Sequence, residues 1–179
     1  MSQVGSVYGQ ALYGLAKDEN LSDEVLQELT VLEQSFQAEP QFLRLLSAPN
    51  VPVEERCGIL DDCFRGKVHQ YVLNFLKILT EKGVVKAFCD CVQSYREQYN
   101  QDHHILPVTA VTAVPLTEEQ VVRLAEKLSA ITGKNAQIAN RVDPDCLGGV
   151  RLDYDGKRVD GSVANRLETV RKMLKNTVL

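Results

Sequence analysis

No segment of this sequence is long and apolar enough to cross a bilayer. The uncharged run Ile105 to Leu116 is interrupted by Pro107 and Pro115 and falls well short of the roughly 20 residues a membrane helix needs. The start of the chain lacks a basic segment followed by an apolar one, so no secretory signal is expected. An Arg-rich, acid-poor transit segment is also missing. These absences point to a cytoplasmic, bacterial protein. Nothing repeats at a fixed period, and no stretch is of low complexity.

Catalytic constellations are missing too. No Ser-His-Asp or Cys-His arrangement suggests itself, and no residue stands out as nucleophile or base. Gly148-Gly149 is no phosphate loop. Such a loop follows a strand, opens a helix and ends in Gly-Lys-Ser/Thr, whereas these glycines precede a strand pattern. Close backbone approach or a bulge suits them better. Asp61-Asp62 and Asp143-x-Asp145 place carboxylates together, but such pairs sit more often at solvated helix ends and turns. The five cysteines read as free thiols of a reducing compartment. Cys89 and Cys91 would point to different faces of a helix, Cys57 and Cys63 also diverge, and His103-His104 lies at a distance. No pair has zinc-ligand spacing, so neither metal nor cofactor is expected.

What is present is an ordinary globular composition, 44% hydrophobic and 25% charged, with a net charge of −4. That balance argues against general nucleic-acid binding. Residues 1–104 carry 9 Lys and Arg against 15 Asp and Glu, and residues 105–179 carry 11 against 9. The cations gather at the end, in Arg166, Arg171, Lys172 and Lys175, where a helix macrodipole favours them.

The first hundred residues read as six helices. Val4, Val7, Tyr8, Ala11, Leu12 and Leu15 recur at helical spacing. Ser22 can cap a second helix carrying Val25, Leu29, Leu32 and Phe36, and Pro40 suits the first position of a short third. Pro52 opens a fourth, with Val53, Leu60 and Phe64. Val68, Tyr71, Val72, Phe75, Leu76 and Leu79 make the fifth, which Gly83 ends. Val85, Phe88, Val92 and Tyr99 run through the sixth. Short connections predict a compact antiparallel bundle.

The period changes after Asn100. Ile105 to Val114 is rich in Val and Thr and favours strand. Thr117-Glu-Glu-Gln is a capping box before a helix with Val121, Leu124, Leu128 and Ile131, and Gly133 ends that helix. Asn135 to Val142 alternates, with Ala136, Ile138 and Val142 on one face. Val150, Leu152 and Tyr154 form a further strand, and Asp155-Gly156 is a two-residue hairpin signal. Asp160 or Ser162 can then cap a last helix with Val163, Leu167, Val170 and Leu174 on its apolar stripe. An Asp-x-Ser magnesium site is the less economical reading of Asp160 and Ser162. The predicted architecture is mainly α, with an N-terminal six-helix bundle over residues 1–104. A small α/β domain with a β-hairpin and terminal helix follows over residues 105–179.

The succession Gly148-Gly149, hairpin, Asp160-Gly161-Ser162-Val163 and terminal helix closely resembles the C-terminal signature of the delta subunits of bacterial ATP synthases. The same family includes the mitochondrial oligomycin-sensitivity-conferring protein. Weaker matches keep the family's order elsewhere: Tyr8-x-x-Ala11-Leu12-x-x-Leu15-Ala16, Leu45-Leu46 and Pro49, Arg56, Ile59-Leu60 and Phe64, Asn74-Phe75-Leu76-x-x-Leu79, Pro115-Leu116-Thr117 and Val142-Asp143-Pro144. Gly9 departs from the family, which often has Ala there. It either costs about 1 kcal/mol of helix propensity or admits a close neighbour.

The resemblance implies a non-catalytic stator subunit of the proton-translocating ATP synthase, peripheral to the cytoplasmic face of the cell membrane. It implies that residues 1–104 bind the catalytic head, holding the N-terminal helix of an alpha subunit in a groove between the first and fifth helices. Tyr8, Ala11, Leu12, Ile78 and Leu79 are the candidates for that groove, the alternative for most being the bundle's own core. Residues 105–179 would meet the C-terminal ends of the b subunits, with Gly148, Gly149, Asp160, Gly161 and Ser162 as structural signature. A free-standing helical adaptor is the alternative class.

Overall fold

A computed structural model describes residues 3–163 and 165. It divides into two compact units, Met1–Tyr99 and Asn100–Leu179, each described by itself.

Six α-helices build the first part of the chain: α1 (Gln3–Asp18), α2 (Ser22–Ala38), α3 (Pro40–Leu46), α4 (Val53–Phe64), α5 (Gln70–Glu81) and α6 (Phe88–Asp102). Their apolar stripes converge. Val25, Leu29, Leu32 and Phe36 of α2 are all buried, with Leu60, Leu76, Phe88, Val92 and Tyr95 among their neighbours in one core. The Phe36 ring meets Phe42, Phe64 and Phe88 at centroid distances of 5.6, 6.3 and 5.0 Å, in the range where aromatic pairs add to simple burial. Tyr95 is wholly buried and donates its hydroxyl to the Ser22 carbonyl oxygen (3.0 Å). Burial pushes its pKa well above the ordinary tyrosine range.

The helix ends explain the turns. α1 closes with Asn20 in the left-handed region (φ 59°). Leu21 N–H donates to Ala16 O (2.8 Å) and Asn20 N–H to Lys17 O (3.1 Å), the paired bonds of a Schellman motif. Gly83 (φ 69°) ends α5 in the same way, with Val84 N–H on Leu79 O. The expected Ser22 cap is corrected: α2 starts at Ser22 itself, behind Leu21, and no side chain caps it. The Schellman turn already brings Leu21 into place for its carbonyl to accept from Val25 N–H. Pro40 opens α3 as expected. Arg56 is buried, and its Nη1 donates to Leu46 O (2.8 Å), satisfying a carbonyl at the end of α3.

Gly9 is a close-approach glycine. A Cβ there would lie 2.4 Å from the Cys91 carbonyl oxygen and 2.8 Å from Ser94 Cβ. Nearby, Ser94 Oγ donates to Ser6 O (3.2 Å). The absent side chain lets α1 lie directly on the backbone of α6. Gly9→Ala is therefore expected to lower stability. Overpacking of about 1–3 kcal/mol outweighs the roughly 1 kcal/mol of helix propensity that alanine adds. A thermal melt of the full chain checks this, and an unchanged or raised midpoint would contradict the close packing.

Among the described residues, the second unit is a four-stranded sheet with one crossover helix. β1 (Ile105–Thr112), α7 (Glu118–Thr132) and β2 (Asn135–Val142) form a parallel βαβ unit. β3 (Val150–Tyr154) and β4 (Lys157–Asp160) form the hairpin. The order is β2-β1-β3-β4, and β3 pairs antiparallel with β1, Ala110 opposite Leu152. Pro107 is tolerated in this central strand because pairing with β3 begins only at Val108. The capping box is present: Thr117 Oγ1 accepts from Gln120 N–H, and Gln120 Oε1 accepts from Thr117 N–H. Leu106, Val108 and Ala136 form a small core, with Leu128, Ile138, Leu152 and Tyr154 packed on it. Two expected core positions are corrected. Ile131 is 81% and Val142 45% exposed: Ile131 sits off the helix face that carries the half-buried Val121, Leu124, Leu128 and Thr132, and Val142 is the last residue of β2. Asp155 (φ 50°) and Gly156 (φ 70°) make the expected turn. The stripe positions Leu167, Val170 and Leu174 and the basic cluster Arg166, Arg171, Lys172 and Lys175 lie outside the described residues.

Candidate functional site: an apolar groove and a glycine clasp

α1 is apolar on two faces. Its buried face is Gly5, Gly9, Leu12, Tyr13 and Ala16, so only Leu12 of the apolar stripe read from the sequence enters the core. Val4, Val7 and Leu15 remain exposed. α5 has the same surplus. Val72, Leu73, Phe75, Leu76 and Leu79 are buried, while Ile78 is 43% exposed.

The two surplus faces meet in a groove of about 440 Å³ lined by Tyr8, Ala11, Leu12, Leu15, Tyr71, Asn74, Phe75 and Ile78. Four of the five sequence candidates, Tyr8, Ala11, Leu12 and Ile78, line it. The fifth, Leu79, is wholly buried in the bundle core and offers no surface. Leu15, Tyr71, Asn74 and Phe75, read from the sequence as stripe or motif residues, were not among the groove candidates. Their signal was the i, i+4, i+7 spacing of Tyr71, Phe75 and Ile78, one position round the helix from the core stripe. The lining carries no formal charge, which suits the apolar face of a partner helix.

The start of α5 is held by His69. Its Nδ1 accepts Tyr71 N–H (3.2 Å), and its ring lies 4.9 Å from the Tyr71 ring. From α2, both carboxylate oxygens of Glu28 accept the His69 backbone N–H, at 2.9 and 2.8 Å.

In the second unit, the signature residues form a backbone clasp. Gly161 N–H donates to Val150 O (3.1 Å) and Val163 N–H to Gly148 O (2.9 Å), continuing the hairpin's pairing beyond β4. Gly149 has φ 78°, and a Cβ on it would lie 2.7 Å from Gly161 O. Both Asp160 and Ser162 act at the cap. Asp160 Oδ1 accepts Ser162 N–H (2.9 Å), and Ser162 Oγ accepts Asn165 N–H (3.2 Å). The hydrogen bonds from Ser162 hold the Asp160 carboxyl below its ordinary pKa. Their help is thus present at neutral pH and lost as the carboxylate protonates in acid.

Asp143 Oδ1 accepts Asp145 N–H (3.2 Å) in a local turn, and Asp61 pairs with Lys77 Nζ (2.7 Å). Among the described residues no three His, Cys, Asp or Glu side chains are grouped to hold a metal ion. All five cysteines are free. Burial pushes the Cys91 thiol up to about 11 and also raises Cys57 and Cys89, leaving little thiolate for nucleophilic or ligand chemistry.

Residues 4–174 match the family model of the ATP synthase delta (OSCP) subunit. The chain is 34% identical over 171 residues to ATP synthase subunit delta of Alkaliphilus oremlandii, covering 96% of this chain and 95% of that one. It is 36% identical over 170 residues to its counterpart in Lactobacillus delbrueckii subsp. bulgaricus, covering 93% of each. In fold it resembles a chain of the Toxoplasma gondii mitochondrial ATP synthase hexamer, with a TM-score of 0.74 at 20% identity over 97% of this chain and 98% of that one.

Proposed function

The chain belongs to the ATP synthase delta (OSCP) subunit family, and from that premise we propose how its two units share the work of a stator. It is a structural, non-catalytic subunit of the complex, a peripheral component that joins the catalytic head to the peripheral stalk and resists rotor torque. Membership in the family displaces the reading as a free-standing adaptor.

In our reading, residues 1–104 dock on the catalytic head and residues 105–179 on the stalk, at the cytoplasmic face of the membrane. The head contact is the N-terminal helix of an alpha subunit laid between α1 and α5, and the stalk contact is the C-terminal end of the b subunits. The observation that carries the first is the uncharged groove itself, formed where two amphipathic helices each have more apolar surface than the core uses. Two separate docking points also suit a stator, because linked contacts raise effective concentration without any new interface.

Titration calorimetry of the full chain with a synthetic N-terminal alpha-subunit peptide is the direct test. Saturable 1:1 binding with a gain of peptide helicity is expected. Absence of heat and of helicity at tens of micromolar would refute the groove's role.

A further inference from the structure

We infer that His69 is a positioning residue that makes the α1–α5 groove sensitive to pH, an inference that rests on the docking role proposed above. One imidazole both caps α5 and abuts a wall of the groove: its Nδ1 accepts Tyr71 N–H, its ring packs on the Tyr71 ring, and Tyr71 lines the groove. The cap needs a lone pair on Nδ1. A neutral imidazole accepts at one nitrogen, whereas an imidazolium donates at both. Imidazole is the side chain that ordinarily changes charge between about pH 5 and 8.

Charging the ring sets N–H against N–H at the cap. It also puts a cation at the positive end of the α5 dipole. A second position is at hand, because the Glu28 carboxylate already sits on the His69 backbone N–H. Of the charged or titratable groups near His69, Glu28 from α2 holds its backbone N–H, Tyr71 on α5 packs on its ring, and Lys67 lies two residues upstream in sequence. Protonation therefore exchanges the cap for an ion pair with Glu28. It frees the first turn of α5 and releases Tyr71 from the groove wall. The groove holds a partner helix more tightly at the alkaline end of this range. The capped form binds one proton fewer, so its contribution is complete at high pH and fades as pH falls.

The test uses the full chain and the alpha-subunit peptide at about pH 8 and pH 6. The expected result is affinity weaker by roughly threefold or more at the lower pH, the size of a lost helix cap. In His69→Asn the amide caps without titrating, so the pH dependence disappears whatever the affinity at pH 8. His69→Ser serves should that variant fold poorly. In the peptide-free protein, the Tyr71 amide resonance should follow the imidazole titration and stay still in the variant. Identical pH profiles for parent and variant overturn the inference. Absence of peptide binding at pH 8 refutes the docking role instead. In that case the Tyr71 resonance alone decides, and a resonance that stays still from pH 6 to pH 8 overturns the switch.

Discussion

Replacing Ile78 by Asp is expected to weaken binding of an alpha-subunit N-terminal helix about 30-fold or more, the effect of losing an interface hot spot. Stability should barely change. Ile78 is 43% exposed at the groove, so a carboxylate there remains hydrated in the free protein. Seating an apolar helix over it removes that water with no cation to pair with, and a buried unpaired charge is costly. Val31→Asp is the matched control, since Val31 is 61% exposed on α2 and does not line the groove. Surface changes of that kind stay within about 0.5 kcal/mol. Calorimetry and thermal melts of both variants separate docking from folding. In membranes, Ile78→Asp should keep ATP hydrolysis but lose ATP-driven proton pumping, because the head is no longer held against the rotor. Unaltered peptide affinity at unaltered stability would show that the helix docks elsewhere.

Gly149→Asp is expected to cost about 2–4 kcal/mol in the second unit, combining left-handed backbone strain with overpacking. At φ 78° any L side chain is strained, and the new Cβ would stand 2.7 Å from Gly161 O and 3.2 Å from Ser162 Cα. Both contacts are backbone, so no side-chain rotation relieves them. The clasp must open, and the Gly161 N–H to Val150 O and Val163 N–H to Gly148 O bonds go with it. We expect weaker attachment to the b subunits with peptide binding by the groove nearly intact. Gly149→Ala isolates the backbone effect from the charge. A variant with the parent's melting behaviour that nonetheless loses groove binding would contradict this division of labour.

The elements of both units were legible because each short-range signal acts alone. Pro40 at a helix start, Gly83 past a helix end and the Thr117–Gln120 capping box depend on bonds made within a few residues. The Asp155-Gly156 turn needs positive φ at both positions, and a sequence states that directly. The same locality misled at Ser22. Its residue type promised a cap, but the preceding Schellman turn had already set where α2 begins.

By itself, then, the sequence determined the order of the described helices and strands, the hairpin and the family, since periodicity and turn chemistry require no knowledge of distant neighbours. Only the tertiary structure decided which apolar residues serve the core and which form the groove. Leu79 and Ile78 are adjacent and chemically alike, yet one is wholly buried and the other 43% exposed. Hydrophobicity records that a side chain avoids water, not which surface covers it. Gly9 shows the same division. Its type was compatible with a weak helix or a close neighbour, and only the carbonyl of Cys91, 2.4 Å from where a Cβ would stand, distinguishes them. That contact spans more than eighty residues of chain, and it exists only once α6 has packed against α1.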